Sequence, residues 1–429
     1  MFTLKFIIER IKSSFWLVPL LFLLISFLCA IGSIYIDHQY LSDIKFLPPS
    51  WDMDRKTLQS IFSTVAGSTI GVLGVTFSVT ITTLVLATQQ FGPHLIRMFM
   101  DRPIVQIIIG SYIGATLYSL TCLFSMSLLS EITPVFSAGV LFLSTIINLF
   151  LLVAFIHQSA TAIQVEEIIN SVHSDFCKNI NFMLEAKNST DDRFEQDFIH
   201  ECFLGEEGKI TATKTGYIQN IEYKKIAEDA YNKNIVVRAL IMPGDHIIEG
   251  QTIMATSNKN TSLNIDAYLK IGAITTKSQD IRYPINQLVE MALRALSPGV
   301  NDPYTAKIAL AYITAMVIAI SNDKPQKSQY IINDQLCLIR KNPTLSEIIN
   351  IAFQEIRTIG GSQYLISDAL FTSYRKILNM VDRNDVDLVL LKHVDAWINE
   401  LRFSTPLERQ RIFSSQLNSL KHELESRLS

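Results

Sequence analysis

The sequence predicts an α-helical integral membrane domain of four transmembrane helices. It also predicts a following cytoplasmic α+β domain that contains a small β-barrel- or sandwich-like module and a helical bundle. Three observations give this fold class. The first 160 residues are strongly apolar, whereas the remainder has the composition of a soluble protein. Residues 209–258 alternate apolar residues with glycine and proline turns, and beyond residue 259 apolar residues recur with a helical period.

The bulk composition limits the class of protein further. The chain has 429 residues, which is long for one compact domain. Its net charge of −3 argues against a nucleic-acid partner. The five cysteines are scattered, without the spacing of a zinc site, an iron–sulfur site or a disulfide framework. We therefore expect reduced thiols, no metal centre and no cofactor.

Four apolar stretches are long enough to cross a hydrocarbon core of about 30 Å. They cover residues 15–36, 61–88, 104–128 and 134–157 within a transmembrane domain of residues 1–160. The first stretch follows three basic residues, as a signal peptide does. It is too long for a typical signal peptide, and no small-residue cleavage site follows it, so we expect an uncleaved helix.

The distribution of lysine and arginine predicts the orientation of these spans. The N-terminal tail and the loop at residues 89–103 together carry five of them, whereas residues 37–60 and 130–133 carry three. Because basic residues favour the cytoplasmic side, the N-terminus is expected in the cytoplasm. Four spans then return the C-terminal domain to the same side. The lipid bilayer is the first expected partner.

The second span carries the most specific pattern in the chain. Residues 61–88 contain no charge, three glycines and ten hydroxyl residues. At about 100° per residue, these residues fall on two opposite faces of a helix. Gly67, Gly71, Gly74 and Ser78 form a glycine face, and Thr69, Thr76, Thr80 and Thr83 form a threonine face. We expect the glycine face to pack against a neighbouring helix and the threonine face to line a polar path.

Polar residues beside the spans admit two interpretations each. Asn148, in the middle of the fourth span, is suited to an interhelical hydrogen bond or to the lining of a pore. The segment at residues 37–60 includes Asp37, Asp43, Asp52 and Asp54, which are either ordinary residues of an external loop or a mouth that attracts cations. An inner elbow of His94, Arg97 and Arg102 follows the second span, where it would anchor the bundle to lipid phosphates or couple it to the cytoplasmic domain.

The cytoplasmic part divides into three segments. Residues 161–208 are expected to form a helical connector, residues 209–258 a small β-rich module and residues 259–429 a mainly helical domain. The β-rich module resembles the barrel-sandwich domains of biotinyl and lipoyl carriers. It lacks the modifiable lysine of a carrier, so we expect it to serve folding or docking. Within the helical domain, residues 333–339 are also expected to be helical.

The motif at residues 294–304 joins two predicted helices of this domain. Pro298 ends the first helix, and Asp302 followed by Pro303 is typical of the start of the next. The motif residues are Arg294, Ser297, Pro298, Gly299, Asn301, Asp302, Pro303 and Tyr304. Helix capping explains most of them. An anion or subunit contact at this corner is the alternative.

Three stretches together resemble the DUF2254 family of predicted bacterial membrane proteins. They are TQQFGPHLIRMFMDRP after the second span, GYIQNIE with PGDHIIEGQ, and QDIRYPINQLVEMALRALSPGVNDPYTA. His94 stands where the family usually has an arginine, which argues against a role that needs a cation there. The resemblance covers most of the chain up to about residue 400. It implies a bacterial inner-membrane protein with a cytoplasmic C-terminal domain, and it implies no activity.

No enzyme class is indicated by the sequence. A Walker loop, a G-x-S-x-G elbow, an H-E-x-x-H motif and a dinucleotide glycine pattern are all absent from it. The leading hypothesis is a homo-oligomeric channel or transport-like protein with a regulatory cytoplasmic domain. The alternative is a non-conducting membrane sensor or scaffold whose cytoplasmic domain binds a protein or a small ligand. In that case the threonines bond to helix carbonyls and the glycine face is only a packing seam.

Overall fold

A computed structural model describes residues 17–41, 54–91, 103–128, 133–161, 164–183, 194–203, 207–259, 263, 265–276, 279–323, 328–404 and 407–428. The chain divides into two compact units, Met1–Glu167 and Ile168–Ser429. Each unit is described below by itself.

The first unit is built from four long helices. They are α1 (Leu17–Ile36), α2 (Arg55–Phe91), α3 (Pro103–Leu128) and α4 (Val135–Thr161), and a π-helical turn, Asp37–Leu41, follows α1. Within the described part of the chain, five helices are long and apolar enough to cross a membrane. Four of them are these helices, and the fifth, Pro303–Asn322, belongs to the second unit.

Helix α3 is the centre of the first unit, because it packs against α1, α2 and α4. Its close contact with α1 depends on two glycines. A Cβ atom on Gly110 would lie 3.0 Å from the ring of Phe22, and one on Gly114 would lie 2.3 Å from the hydroxyl of Ser26. Small residues therefore allow close helix packing in this unit, but at α3 rather than at α2.

The second unit begins with the helices α5 (Val165–Met183) and α6 (Gln196–Glu201) and continues into a β-rich region. The first strands are β1 (Gly208–Thr211) and β2 (Gly216–Ile221), followed by helix α7 (Tyr223–Asn232). Strands β3 (Val237–Ala239), β4 (His246–Ile247), β5 (Thr252–Thr256) and β6 (Leu269–Gly272) complete it.

Two sheets form this region. One has the order β4-β2-β6, and the other has the order β1-β5-β3-β8-β7, in which β7 (Gln329–Ile332) and β8 (Gln335–Ile339) form an antiparallel hairpin. The helix expected at residues 333–339 is therefore wrong. Asn333 and Asp334 have φ angles of 47° and 62°, which suit a two-residue hairpin turn. Strand β8 then pairs in parallel with β3, so the sheet extends beyond residues 209–258.

The remaining helices form a bundle. They are α8 (Arg282–Ala295), α9 (Pro303–Asn322), α10 (Leu345–Gly360), α11 (Tyr364–Met380), α12 (Asn384–Ser404) and α13 (Leu407–Leu428). All six lie beyond residue 279, within the segment that was expected to be mainly helical. Thr344 caps α10 through a capping box with Glu347, which explains where that helix begins. Trp397, Tyr374 and Phe353 are fully buried in the bundle core.

Candidate functional site

The threonine face of α2 points into the first unit. Thr69 is 5% exposed, and its hydroxyl lies 2.8 Å from the hydroxyl of Thr116 on α3 and 2.8 Å from the carbonyl oxygen of Val65. Thr76 is 1% exposed, and its hydroxyl donates to the carbonyl of Val72 at 2.8 Å. These two hydroxyl groups are therefore satisfied within one chain.

The next two threonines of this face are half-buried. The hydroxyl of Thr80 donates to the carbonyl of Thr76 at 2.7 Å, and Thr83 is partly exposed. Hydrogen bonds of this kind, from threonine to the carbonyl four residues earlier, satisfy the hydroxyl without a partner from another helix. A hydroxyl that donates to its own helix has no proton left to offer to a passing solute.

The glycine face lies on the outside of the unit. Gly67, Gly71, Gly74 and Ser78 are exposed. A Cβ atom built on any of the three glycines would find no heavy atom within 4 Å among the described residues. Within one chain, the threonine face of α2 thus lies inside the unit and the glycine face lies outside it. Nothing in the described part of a single chain packs on the glycines.

Asn148 lies at the centre of a hydrogen-bonded junction between α3 and α4. The hydroxyl of Ser111 donates to its side-chain oxygen at 2.6 Å, and the hydroxyl of Tyr112 donates to its backbone carbonyl at 2.8 Å. The residue is 2% exposed, so it makes the interhelical contacts that were one of its two expected roles. Its Nδ2 group has no hydrogen-bond partner among the residues that the structure describes.

Asp37 has a structural role that the sequence did not indicate. Its carboxylate accepts hydrogen bonds from the backbone N–H groups of Phe136 and Ser137 at 2.8 and 3.0 Å, and from the Ser137 hydroxyl at 2.6 Å. It therefore caps the N-terminus of α4 from a different helix, where a negative charge is favoured. Because it is 3% exposed, Asp37 does not form part of an open acidic mouth.

A tyrosine extends this polar cluster into the helix interior. The hydroxyl of Tyr118 lies 2.8 Å from that of Ser33 on α1 and donates to the carbonyl of Ser137 at 3.0 Å. The cluster joins α1, α3 and α4 through buried side chains. In the sequence, the feature that could have identified Asp37 as a capping residue is its position directly after the first apolar run.

Asp43 and Asp52 of the same loop lie outside the described residues, as do His94, Arg97 and Arg102 of the inner elbow.

The motif at residues 294–304 is a capped corner between α8 and α9. The carboxylate of Asp302 accepts from the backbone N–H of Thr305 at 3.2 Å and from its hydroxyl at 2.6 Å, and Pro303 occupies the first turn. Asn301 has a φ angle of 47°, which reverses the chain. The capping explanation is thereby confirmed. Since Asp302 already places a carboxylate at this helix N-terminus, the corner does not offer an anion site.

The remaining motif residues lie around this corner. The hydroxyl of Ser297 donates to the carbonyl of Arg294 at 2.6 Å, and the guanidinium of Arg294 lies 3.6 Å from the carboxylate of Glu290. Pro298 and Gly299 are exposed, and Tyr304 is 70% exposed. The structure thus brings the motif together as a turn with an outward-facing tyrosine.

An ion-pair cluster joins two of the sequence motifs. Arg282 at the start of α8 donates to Asp280 and to Asp245, both at 3.0 Å, and to the carbonyl of Pro243 at 2.7 Å. Asp280 is 6% exposed, and burial raises its pKa even though the Arg282 guanidinium opposes that rise. Gly244 has a φ of 90°, and a side chain there would collide with Asp280. The PGD turn and the QDIRYP segment therefore form one unit.

A second buried polar cluster lies in the helical bundle. The ring of His393 on α12 lies 3.3 Å from the hydroxyl of Tyr374 and 2.8 Å from the side-chain oxygen of Asn350. Burial lowers the pKa of His393 to about 4, so the imidazole is neutral at physiological pH. Arg357 pairs with Glu400 at 2.6 Å in the same bundle. These contacts connect α10, α11 and α12.

The described residues contain no group of three or more His, Cys, Asp or Glu side chains placed to hold a metal ion. The geometry above is therefore a set of packing and capping clusters. It includes three hydrogen-bonded hydroxyls on α2, two carboxylate caps and two ionic or polar junctions in the second unit.

Comparison with known proteins gives the family but no activity. The model of DUF2254, described as a predicted membrane protein, matches residues 12–376. The uncharacterized protein Rv1290c of Mycobacterium tuberculosis is 24% identical over 343 residues, which are 77% of this chain and 64% of that protein. The uncharacterized protein Mb1321c of Mycobacterium bovis gives the same values. The chain thus spans less than two thirds of the length of these relatives. No solved structure matches at a significant level.

Proposed function

Because the chain belongs to the DUF2254 family of predicted membrane proteins, we propose that it is a non-conducting membrane sensor or scaffold. Its first unit anchors it in the bacterial inner membrane. Its second unit lies in the cytoplasm and binds a protein or a small ligand. This is the alternative of the two functions considered from the sequence.

The observation that carries this proposal is the placement of the α2 hydroxyls. Thr69 and Thr76 are buried against their own chain, and the hydroxyls of Thr69, Thr76 and Thr80 all bond to carbonyls of α2. A hydroxyl-lined ion path requires oxygen atoms that face water and replace part of the hydration shell. Side chains that are 5% and 1% exposed in one chain do not face an axis shared by several chains.

Four spans, not five, are proposed to cross the membrane. The fifth apolar helix, α9, packs against α8, α10 and α11 of the second unit. Its inward residues are Ala306, Ala309, Leu310, Ile313, Met316 and Val317, all at 0% exposure. A helix enclosed in this way is apolar because it forms the core of a soluble bundle. With four spans, the lysine and arginine bias places both termini in the cytoplasm.

We propose further that the protein is a homo-oligomer through the glycine face. Gly67, Gly71, Gly74 and Ser78 leave an exposed strip without side-chain bulk on α2. Small residues at this spacing allow two transmembrane helices to approach closely. A second copy of the same chain presents the same strip, so the contact can be two-fold symmetric.

A channel is the second candidate, and one observation favours it. The Nδ2 group of Asn148 is buried in the middle of the first unit, and the described part of the chain offers it no acceptor. A buried donor of this kind costs about 1–3 kcal/mol unless water or a solute satisfies it. A path inside the four-helix unit, past Asn148, would supply that acceptor.

Ion flux from liposomes that contain the purified chain separates the two functions. The sensor or scaffold proposal predicts flux equal to that of empty liposomes over a range of voltage, tension and pH. Flux that falls in Thr76→Val or Asn148→Leu, but not in the exposed control Thr82→Val, would overturn it and establish the channel.

The same preparation tests the binding role. A cytoplasmic ligand or partner should raise the thermal midpoint of unfolding, and the rise should disappear when residues of the second unit at the contact are changed. A screen of cytoplasmic metabolites and of the cell's soluble proteins that gives no shift and no stoichiometric partner would count against it.

A further inference from the structure

Helix α9 of the second unit is apolar on every side, yet one of its sides is exposed. Lys307 is the single charged residue among positions 303–322. A helix that is apolar all round is normally covered all round. The bundle covers α9 on the sides that meet α8, α10 and α11, but Ala311 and Ala315 on the remaining side are exposed. This side of α9 therefore has the composition of an interface and not of a solvated surface.

The exposed side of α9, which we call the alanine face, has little side-chain bulk at its centre. At 100° per residue, four exposed residues fall within about 40° of one another, namely Tyr304, Ala311, Ala315 and Asn322. Ile308 and Ile318 flank the alanines on either side and are half-buried. Because alanine side chains are short, a second helix can approach this face to an interaxial distance of about 8 Å.

The charges of α9 make the alanine face complementary to itself. Lys307 lies eight residues before Ala315, and Asp323, the C-cap, lies eight residues after it. Two antiparallel copies of α9 that cross at Ala315 therefore bring Lys307 of each chain to the level of Asp323 of the other, roughly 12 Å from the crossing point.

The spacing of the alanines favours a crossing that closes this pair. Ala311, Ala315 and Ala319 are four residues apart, and ridges of this spacing pack at about −50°. At that angle the flank of the face that carries Lys307 approaches the flank of the second helix that carries Asp323. The helix C-terminus beside Asp323 also attracts a cation. A parallel pair would instead bring the two Lys307 side chains to the same level.

We propose that the alanine face binds a second copy of this chain, with two antiparallel α9 helices that cross at Ala315. A two-fold contact uses the same patch on both chains, so each copy covers the apolar face of the other. Tyr304, which is 70% exposed, lies on the same face and adds aromatic area of the kind that is enriched in interfaces. The contact rests on the homo-oligomer proposed above and extends it from the first unit to the second.

Single cysteines test this contact in membranes, in the full-length chain without its native cysteines. Because Ala315 lies at the crossing, Ala315→Cys should form a disulfide-linked dimer on mild oxidation. Lys307→Cys is the matched control, because this position is also exposed but its two copies lie about 24 Å apart along the helices and should give no dimer. Lys307→Glu should lower the dimer yield of Ala315→Cys at least about threefold, and the further change Asp323→Lys should restore it.

The absence of a dimer from Ala315→Cys would overturn the α9 contact. Labelling of that cysteine by a water-soluble maleimide would then show an open surface, and protection from the reagent would show that lipid or another protein covers it. A dimer from Lys307→Cys alone would overturn the antiparallel arrangement.

Gly71→Cys separates this contact from the glycine face of α2. If Gly71→Cys gives a dimer and Ala315→Cys does not, the α9 contact fails and the glycine-face oligomer stands. The reverse result keeps the α9 contact and removes the glycine-face contact. No dimer from either position removes the homo-oligomer itself.

Discussion

Replacing Arg282 should destabilise the second unit, because this one side chain joins three separate segments. Arg282 is 15% exposed in its side chain and contacts Asp280, Asp245 and the carbonyl of Pro243. Arg282→Met removes all three contacts and leaves the Asp280 carboxylate, whose side chain is 7% exposed, without a cationic partner. Removing one member of a buried ion pair costs about 3–5 kcal/mol. Because Asp245 is 21% exposed and can regain water, we expect the lower end, about 3 kcal/mol.

Two companion variants identify the cause of this loss. Asp280→Asn combined with Arg282→Met leaves no uncompensated charge at Asp280, so it should recover roughly half of the lost stability. The stability lost in Arg282→Met should also depend on pH. Removal of the guanidinium raises the pKa of Asp280 further, because burial then acts on it with less opposition. The difference in stability between the natural protein and Arg282→Met should therefore shrink as the pH falls and the carboxyl group takes up its proton.

The measurement is equilibrium denaturation followed by the fluorescence of Trp397, which is fully buried in the bundle. Trp16 and Trp51 are changed to phenylalanine so that Trp397 alone reports. If Arg282→Met lowers the free energy of unfolding by less than about 1 kcal/mol with an unchanged denaturant slope, the contacts of Arg282 do not stabilise the second unit as predicted. A loss of about 3 kcal/mol that does not change with pH would also contradict the prediction, because it would arise from packing and not from an unpaired charge.

Three further predictions follow from individual clusters. The pKa of His393 is lowered to about 4 by burial, so the unfolded chain takes up a proton first and the natural protein should lose up to about 3 kcal/mol as the pH falls from 6.5 to 4. His393→Gln should lack this part of the pH dependence in denaturation curves. Asp37→Ala should lower the thermal midpoint in detergent by removing the cap of α4, at a cost of about 1–2 kcal/mol, whereas Asp368→Ala, at an exposed position inside α11, should leave it unchanged. Asp302→Ala should cost about 1 kcal/mol, and Asp302→Asn should recover most of it.

One specific result would contradict each of these three predictions. Equal acid sensitivity of the natural protein and His393→Gln would show that the buried imidazole does not control stability in that range. An unchanged midpoint in Asp37→Ala would show that its three hydrogen bonds are replaced by water. A loss in Asp302→Asn as large as that in Asp302→Ala would show that the corner depends on charge and not on capping.

Local chemistry made most of the helices predictable. Apolar length located α1 to α4, and capping residues located the start of α9 at Pro303 after Asp302. The residues that predict each of these helices belong to the helix itself or lie within a few positions of its ends. The turn at Asn333 and Asp334 is an exception, because residues 333–339 were expected to form a helix. The apolar residues on either side were interpreted as helical because short apolar runs fit both periods.

Contacts between distant segments could not be predicted. Helical periodicity separates the two faces of α2 but does not determine which one packs inside, because glycine and threonine both favour helix contacts. The glycines that α1 approaches are Gly110 and Gly114 of α3, whose four-residue spacing marks a packing face but does not identify the partner helix. Likewise, the parallel pairing of β3 with β8 joins residues about 100 positions apart, and no sequence pattern marks it.

Cysteine cross-linking along α2 distinguishes a dimer formed through the glycine face from a pore lined by the threonine face. Single cysteines are introduced in membranes, in a chain without its native cysteines, at Gly67, Gly71 and Gly74 and at Thr69, Thr76 and Thr80. We expect disulfide-linked dimers from the glycine positions and none from Thr69 or Thr76, which face the interior of their own chain. Cross-links at the threonine positions, together with reaction of those cysteines with water-soluble thiol reagents, would contradict it and place the threonine face on a shared aqueous axis.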